Sequence, residues 1–173
     1  LAAEQQGDLF GLLVFSDRVD QFVRAGNGKP HYTTCRDALY ALEPRLVNPD
    51  FEELITFIRL RVRRRALLVV LTNLDDPVLA EQFVRSMDLI SGQHLVLVNM
   101  IAPRGVQPLF SDGNVETTDD LYAQLAGHVR WRNLAELERV LYRRGVSFAL
   151  LDNERMAAQL VTQYLNVKQR QLL

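Results

Sequence analysis

The strongest constraint on this chain's fold is the run Ala66-Leu67-Leu68-Val69-Val70-Leu71, which gives way at once to Thr72-Asn73-Leu74-Asp75-Asp76-Pro77. A short apolar run without polar alternation suits a strand buried on both faces, the habit of parallel sheets in α/β proteins. In open α/β sheets, ligands bind just beyond the carboxyl ends of the strands. Thr72, Asn73, Asp75 and Asp76 stand at such an end. The run therefore predicts a fold class and a place for a site.

The rest of the chain supplies partners for that strand. Leu9 to Phe15 reads as a second buried strand, and Ser16-Asp17-Arg18 as a turn. Val19 to Arg24 alternates apolar and polar residues, which predicts an edge strand in a hairpin. Residues 25–30 read as a loop and 31–43 as a helix ending before Pro44. Asp50 is the predicted N-cap of another helix. Phe51, Leu54, Ile55, Ile58 and Val62 recur there at helical spacing, with Glu53 three residues after the cap. Beyond the central run, residues 77–91 predict a helix with Pro77 in its first turn and Gly92 past its end. Gln93 to Met100 predicts a strand and 101–116 a loop. A long helix follows from about Asp119 to Arg144, capped by Thr118, irregular at Gly127 and closed by Gly145. A strand over 146–151 and an amphipathic helix over 153–170 complete the chain. Strands alternating with long helices predict an α/β fold in three layers: a doubly wound, mostly parallel sheet with helices on both faces and one antiparallel edge strand, in a single domain over 1–173.

Composition narrows the function classes. A net charge of −1 gives no overall bias toward nucleic acid or an anionic membrane. Cys35 stands alone, so no internal disulfide or thiolate metal cluster can form, and a reducing cytoplasmic setting is the simplest reading. No apolar run approaches the roughly 20 residues that span a bilayer. The opening Leu1-Ala2-Ala3-Glu4-Gln5-Gln6-Gly7-Asp8 reads as the last turns of a helix closed by Gly7, which predicts a piece of a longer protein.

Three segments carry a family resemblance: Gly11-Leu12-Leu13-Val14-Phe15-Ser16-Asp17, Ala38-Leu39-Tyr40-Ala41-Leu42-Glu43-Pro44, and Arg63-Arg64-Arg65-Ala66-Leu67-Leu68-Val69-Val70-Leu71-Thr72. With the element order, they resemble a von Willebrand factor type A domain lacking its first strand. More closely, they resemble the bacterial domain-of-unknown-function family fifty-eight. The resemblance implies a metal-ion-dependent adhesion site with an Asp-x-Ser-x-Ser loop, a Thr and an Asp. Such oxygen ligands suit Mg²⁺. Here the loop motif is absent, the Thr position falls at Pro49 and the Asp position at Asn73. The expectation is a degenerate site without a tight metal or other cofactor, in which Asp50, Asp75 and Asp76 leave at most a loose Mg²⁺ contact. The more ordinary task of acids beside Pro77 is to serve a helix N-terminus.

The resemblance further implies a protein partner, with a MoxR-type AAA+ ATPase as the candidate. It implies membrane segments only upstream in the parent protein, so that this region is a cytoplasmic domain. In type A domains the first strand lies between the strands matching 9–15 and 66–72. Without it, those two strands are expected to pair directly or to accept another chain, with self-association or strand exchange as the outcome.

Other features take ordinary readings. Gly26-Asn27-Gly28-Lys29 lacks the remaining residues of a phosphate loop and reads as a turn. Arg59, Arg61, Arg63, Arg64 and Arg65 read as a solvated helix end, with a lipid or partner patch as the alternative. Few aromatics interleave them, which disfavours nucleic acid. His31, His94 and His128 lack ligand spacing and read as surface or capping residues. Cys35 reads as buried and inert. Trp131, Leu134, Leu137, Val140 and Leu141 form a predicted core stripe, as do Met156, Leu160, Val161, Tyr164 and Leu165. Two functions follow. One is a non-enzymatic interaction module that uses Ser16, Asp17, Asp50, Asn73, Asp75 and Asp76. The other is a small metal-dependent hydrolase built on Asp17, Asp50, Asp75 and Asp76.

Overall fold

The computed structural model describes residues 2–43, 45–111 and 116–171. Leu1 and Pro44, used in the sequence reading, lie outside the described residues, as do residues 112–115 of the predicted loop. The chain divides into two units, Leu1–Arg63 and Arg64–Leu173.

In the first unit, α1 (Ala2–Gln5) ends at Gly7, whose φ of +71° is open to glycine at little cost. The Asp8 N–H donates to Ala3 O at 2.9 Å, closing the turn. Residues 2–8 thus supply a helical turn and no strand. The hairpin joins β1 (Phe10–Phe15) to β2 (Val19–Gly26), antiparallel as expected. The helix α2 (Lys29–Tyr40) starts two residues before its predicted position, because Pro30 suits a first helical turn. The helix α3 (Phe51–Arg61) begins at Asp50, whose carboxylate accepts the Glu53 N–H at 2.9 Å, as the cap spacing requires. Phe51, Leu54, Ile55 and Ile58 are buried on one stripe of α3. The Phe22 and Phe57 rings meet edge to face at 5.1 Å. Cys35 is buried, and desolvation pushes its thiol pKa up, as befits an inert cysteine.

The second unit is three parallel strands with their crossovers: β3 (Leu67–Leu71), α4 (Pro77–Met87), β4 (Leu95–Ile101), α5 (Thr118–Arg143), β5 (Ser147–Leu151) and α6 (Met156–Gln169). The strand order is β3-β4-β5. Two crossovers taken in one direction put α4 and α5 on one face if both are right-handed, and α4 packs on α5. Each crossover helix is capped by its own sequence. Asp76 accepts the Val78 and Leu79 N–H groups at 2.7 and 3.1 Å. Thr117 and Asp120 exchange side-chain-to-backbone bonds across the first turn of α5, so the cap is Thr117, one residue before the predicted Thr118. That exchange holds the Asp120 carboxyl below its usual range.

Several expectations need correction. The antiparallel strands do not edge the parallel sheet; among the described residues β1 pairs with β2 alone and β3 with β4 alone, giving two sheets. The direct pairing of 9–15 with 66–72 is therefore absent from the ladders. The apolar run in β3 is not buried on both faces. Only Val70 is buried, while Val69 and Leu71 are 43% and 50% exposed, because β3 has a single ladder partner. The β1 strand is at most half-buried for the same reason. The strand with two partners is β4, where Val96, Leu97, Val98, Asn99 and Met100 are all buried.

The remaining differences lie in the helices. The first crossover helix ends at Met87, and residues beyond it turn by i→i+3 bonds such as Ile90 N–H to Met87 O. The long helix passes through Gly127 without a break. A Cβ there would lie 2.0 Å from Gly105 O, so glycine serves a close approach of the 102–111 loop to α5. In the first predicted stripe, Leu134, Leu137 and Leu141 are buried as expected, but Trp131 is exposed and stacks on His128 at 5.6 Å. In α6 only Val167 is fully buried; Val161 is exposed and the rest of the predicted stripe half-buried.

His94 is a further correction: it is 3% exposed, and both ring nitrogens are buried without a hydrogen-bond partner. Burial disfavours the imidazolium and lowers the His94 pKa. The unfolded chain then takes up the proton first as pH falls, so stability present above the ordinary histidine value of about 6.5 is lost as pH drops toward the folded value. Urea unfolding at stepwise pH is expected to show this loss, and His94→Leu to flatten it. Gly127→Ala is expected to lower stability by about 1–3 kcal/mol in the same measurement, since the new methyl meets backbone.

Candidate functional site

The carboxyl end of β3 is where the sequence placed a site, and its side chains are tightly engaged. Asn73 Oδ1 accepts the Asp75 N–H at 2.9 Å, a local turn that fixes the chain as it leaves the strand. Asp75 accepts two hydrogen bonds from Arg130 of α5, one from Nε at 3.1 Å and one from an Nη group. This fork-on-carboxylate geometry is the strong form of an ion pair, and the Asp75 hydrogen bond raises the Arg130 pKa. Asp76 is spent on the α4 cap. The three predicted residues thus hold a strand end, a crossover helix and the long helix in register.

The first unit has its own polar cluster at the hairpin turn. Arg45 Nη1 lies 3.1 Å from Ser16 Oγ, from Asp17 Oδ1 and from Asp20 Oδ1. The Ser16 hydroxyl is 2.6 Å from Asp20 Oδ2 and 3.0 Å from Asp17 Oδ1, with one proton to share. The Ser16 hydrogen bond, helped by the Arg45 and Arg18 charges against desolvation, holds the Asp20 carboxyl below its usual range. The Asp50 N–H donates to Ser16 O at 2.9 Å, which ties the start of α3 to the turn. Ser16, Asp17 and Asp50 are thereby brought together within this unit, and Asn73, Asp75 and Asp76 within the other.

The donor set can be tested against the Mg²⁺ that a type A-like site implies. A hard cation needs several free oxygens in near-octahedral array. Pro49 offers no side-chain oxygen. Asn73 Oδ1 faces the Asp75 N–H, the Asp75 carboxylate faces Arg130, and Asp50 and Asp76 face helix N-termini. These residues do not fit a well-made Mg²⁺ site. Among the described residues no group of three or more His, Cys, Asp or Glu side chains could hold a metal ion.

Some residues were not singled out in the sequence. Arg130 and Arg45 carry no local signal, since their partners lie 55 and up to 29 positions away. Asn99 did carry one, as a single amide within the apolar strand Leu95–Ile101. It is fully buried, and its Oδ1 accepts the Gln163 Nε2–H of α6 at 2.8 Å. Gln163 also lines a cleft of about 260 Å³ between α6 and strands β4 and β5, with Leu97, Phe148, Asn166, Val167 and Arg170. Asp152, just past β5, accepts the Glu154 N–H at 2.8 Å. The other histidines have partners rather than open surfaces: His31 Nε2 meets Phe10 O at 2.5 Å, and His128 Nδ1 accepts the Leu109 N–H at 3.1 Å.

The class defined by these observations is mixed α/β, with a parallel three-stranded sheet, flanking helices and a separate hairpin. The family model described as Protein of unknown function DUF58 matches residues 1–129, and the chain belongs to that family. No curated protein and no solved structure matches the chain. No helix among the described residues is long and apolar enough to cross a membrane.

The ion pair at the end of β3 is part-exposed, with Arg130 and Asp75 side chains 45% and 26% accessible. A double-mutant cycle with Asp75→Ala and Arg130→Ala is expected to give a coupling of about 0.5–1 kcal/mol by chemical denaturation. Asp76→Ala, which removes a cap with two acceptor contacts, is expected to cost about 1 kcal/mol in the same assay.

Proposed function

We propose that this chain is a non-enzymatic, type A-like interaction module with a degenerate metal site, doubly wound in the parent protein. The observation that carries the reading is the commitment of the oxygens at the end of β3. Asn73, Asp75 and Asp76 hold backbone N–H groups and Arg130 rather than standing free for a cation or a reacting group. A surface of this kind recognises a protein partner by charge and shape at a rigid strand end. The partner suggested by the family resemblance is a MoxR-type AAA+ ATPase, met on the cytoplasmic side of a parent protein anchored further upstream. In the other unit, Ser16, Asp17 and Asp50 would give a second acidic contact for the same partner class. A hydrolase on Asp17, Asp50, Asp75 and Asp76 would need a carboxylate free to bind metal or accept a proton, and nothing observed favours it.

Calorimetric titration with Mg²⁺ and Mn²⁺ tests the reading. The native chain is expected to bind neither below about 1 mM, while Asn73→Asp adds a carboxylate and is expected to raise affinity measurably. Sub-millimolar binding by the native chain would sink the proposal and favour the metal-dependent alternative.

A further inference from the structure

Parallel strands and returning helices gather one set of ends at the amino edge of the second unit's sheet. There β3, β4 and β5 begin and α4, α5 and α6 finish. The Leu95 N–H donates to Ala66 O at 3.0 Å, joining the approaches to β4 and β3. Arg144 Nε donates to Asp88 Oδ1 at 2.8 Å, joining the ends of α5 and α4. Val167 and Arg170, at the end of α6, line the cleft together with Leu95 and Ser147, the first residues of β4 and β5. Asp75 and the function proposed for it lie at the other edge of the sheet, so the two surfaces are independent.

This edge is basic beyond what helix ends require. Arg64, Arg143 and Arg170 are exposed, and among the described residues none of the three is in an ion pair. Arg144 is balanced by Asp88 and Arg139 by Glu136, which leaves exposed Glu138, more than one turn back on α5, as a counter-charge. A helix end presents about half a negative charge, so a whole guanidinium over-balances it. Arg64 belongs to no helix at all. Arg65 follows it, and Arg59, Arg61 and Arg63 come earlier on the same stretch of chain.

Apolar groups stand among these cations. Leu89 and Tyr142 are 57% and 78% exposed, one next to Asp88 and the other two residues before Arg144. The cleft of about 260 Å³ has Leu95, Leu97 and Val167 in its walls beside Arg170. Nucleic acid is served by several stacking rings, and Tyr142 is the one exposed aromatic on these helix ends among the described residues. An acidic polypeptide would use the cations and leave the apolar groups idle. An anionic bilayer uses both. Its phosphates match the guanidinium fork, a tyrosine ring settles at headgroup level, and apolar side chains reach the acyl boundary. Lipids also move sideways, so cations scattered over the ends of separate elements need no partner of fixed pattern. We propose that the amino edge of the second unit docks on an anionic phospholipid surface. Arg64, Arg143 and Arg170 meet the headgroup phosphates, and Leu89 and Tyr142 rest at the acyl boundary.

Co-sedimentation of the 173-residue chain with vesicles tests this. Phosphatidylcholine vesicles carrying about 30% phosphatidylglycerol are expected to bind it at least about tenfold more tightly than phosphatidylcholine alone. Raising salt from about 50 mM to about 500 mM is expected to weaken that binding at least about tenfold. Arg64→Gln, Arg143→Gln and Arg170→Gln are each expected to weaken it about fivefold, and together about a hundredfold. Lysine at the same three positions keeps the charge and is expected to stay within about threefold of the native chain. Leu89→Ser with Tyr142→Ser is expected to weaken binding at least about fivefold at either salt concentration. All five side chains are exposed, so the variants are expected to unfold in urea as the native chain does. Equal binding to neutral vesicles, binding to neither, a triple glutamine variant that binds like the native chain, or an unaffected serine pair would each overturn the proposal. Capture of heparin or poly-glutamate by a chain that leaves vesicles alone would overturn it too, in favour of a soluble polyanion.

Discussion

The second unit depends on β4. Among the described residues it is the one strand of the three with a ladder on both sides, and its side chains are buried from Val96 to Met100. Val96 and Val98 are 0% and 1% exposed, which concentrates the hydrophobic driving force on a few residues. The flanking strands take their register from it: Val70 sits opposite Val98, and Phe148 opposite the same residue on the other side. The turns that leave the sheet then inherit fixed positions, which is why a single carboxylate such as Asp75 can find Arg130 far along the chain.

Element identity was legible because it is local. Caps announced themselves through Asp50 and Pro77, and the buried half of α5 through Leu134, Leu137 and Leu141 at helical spacing. What failed was the inference from composition to neighbourhood. The run in β3 and the run in β4 look equally apolar, yet one is an edge and the other the centre. Apolar content says that a strand can be buried and not how many strands lie beside it. Gly127 misled for a related reason. Its sequence context suggested a weak point in a helix, whereas the missing side chain makes room for the carbonyl of a distant loop.

The candidate site was legible as a place and not as chemistry. The first polar residues after β3 do stand where an α/β sheet presents its ligand-binding edge. Their hydrogen-bonding partners came from α4 and α5, and those pairings are set by tertiary packing. His94 shows the same gap: nothing in its surroundings along the chain distinguishes it from His128, yet one is sealed off and the other accepts a backbone N–H.

The amide pair between Asn99 and Gln163 has a consequence for how α6 settles. The helix has few fully buried apolar residues to fix its position, with Val167 alone in that state. Hydrophobic contact tolerates a slide or a small rotation. The buried Asn99 Oδ1 does not, because a shift of one residue would take away the Gln163 Nε2–H that it accepts, at a cost of about 1–3 kcal/mol. Asn99 thus acts as an index mark: its bond to Gln163 favours one azimuth and one axial setting for α6.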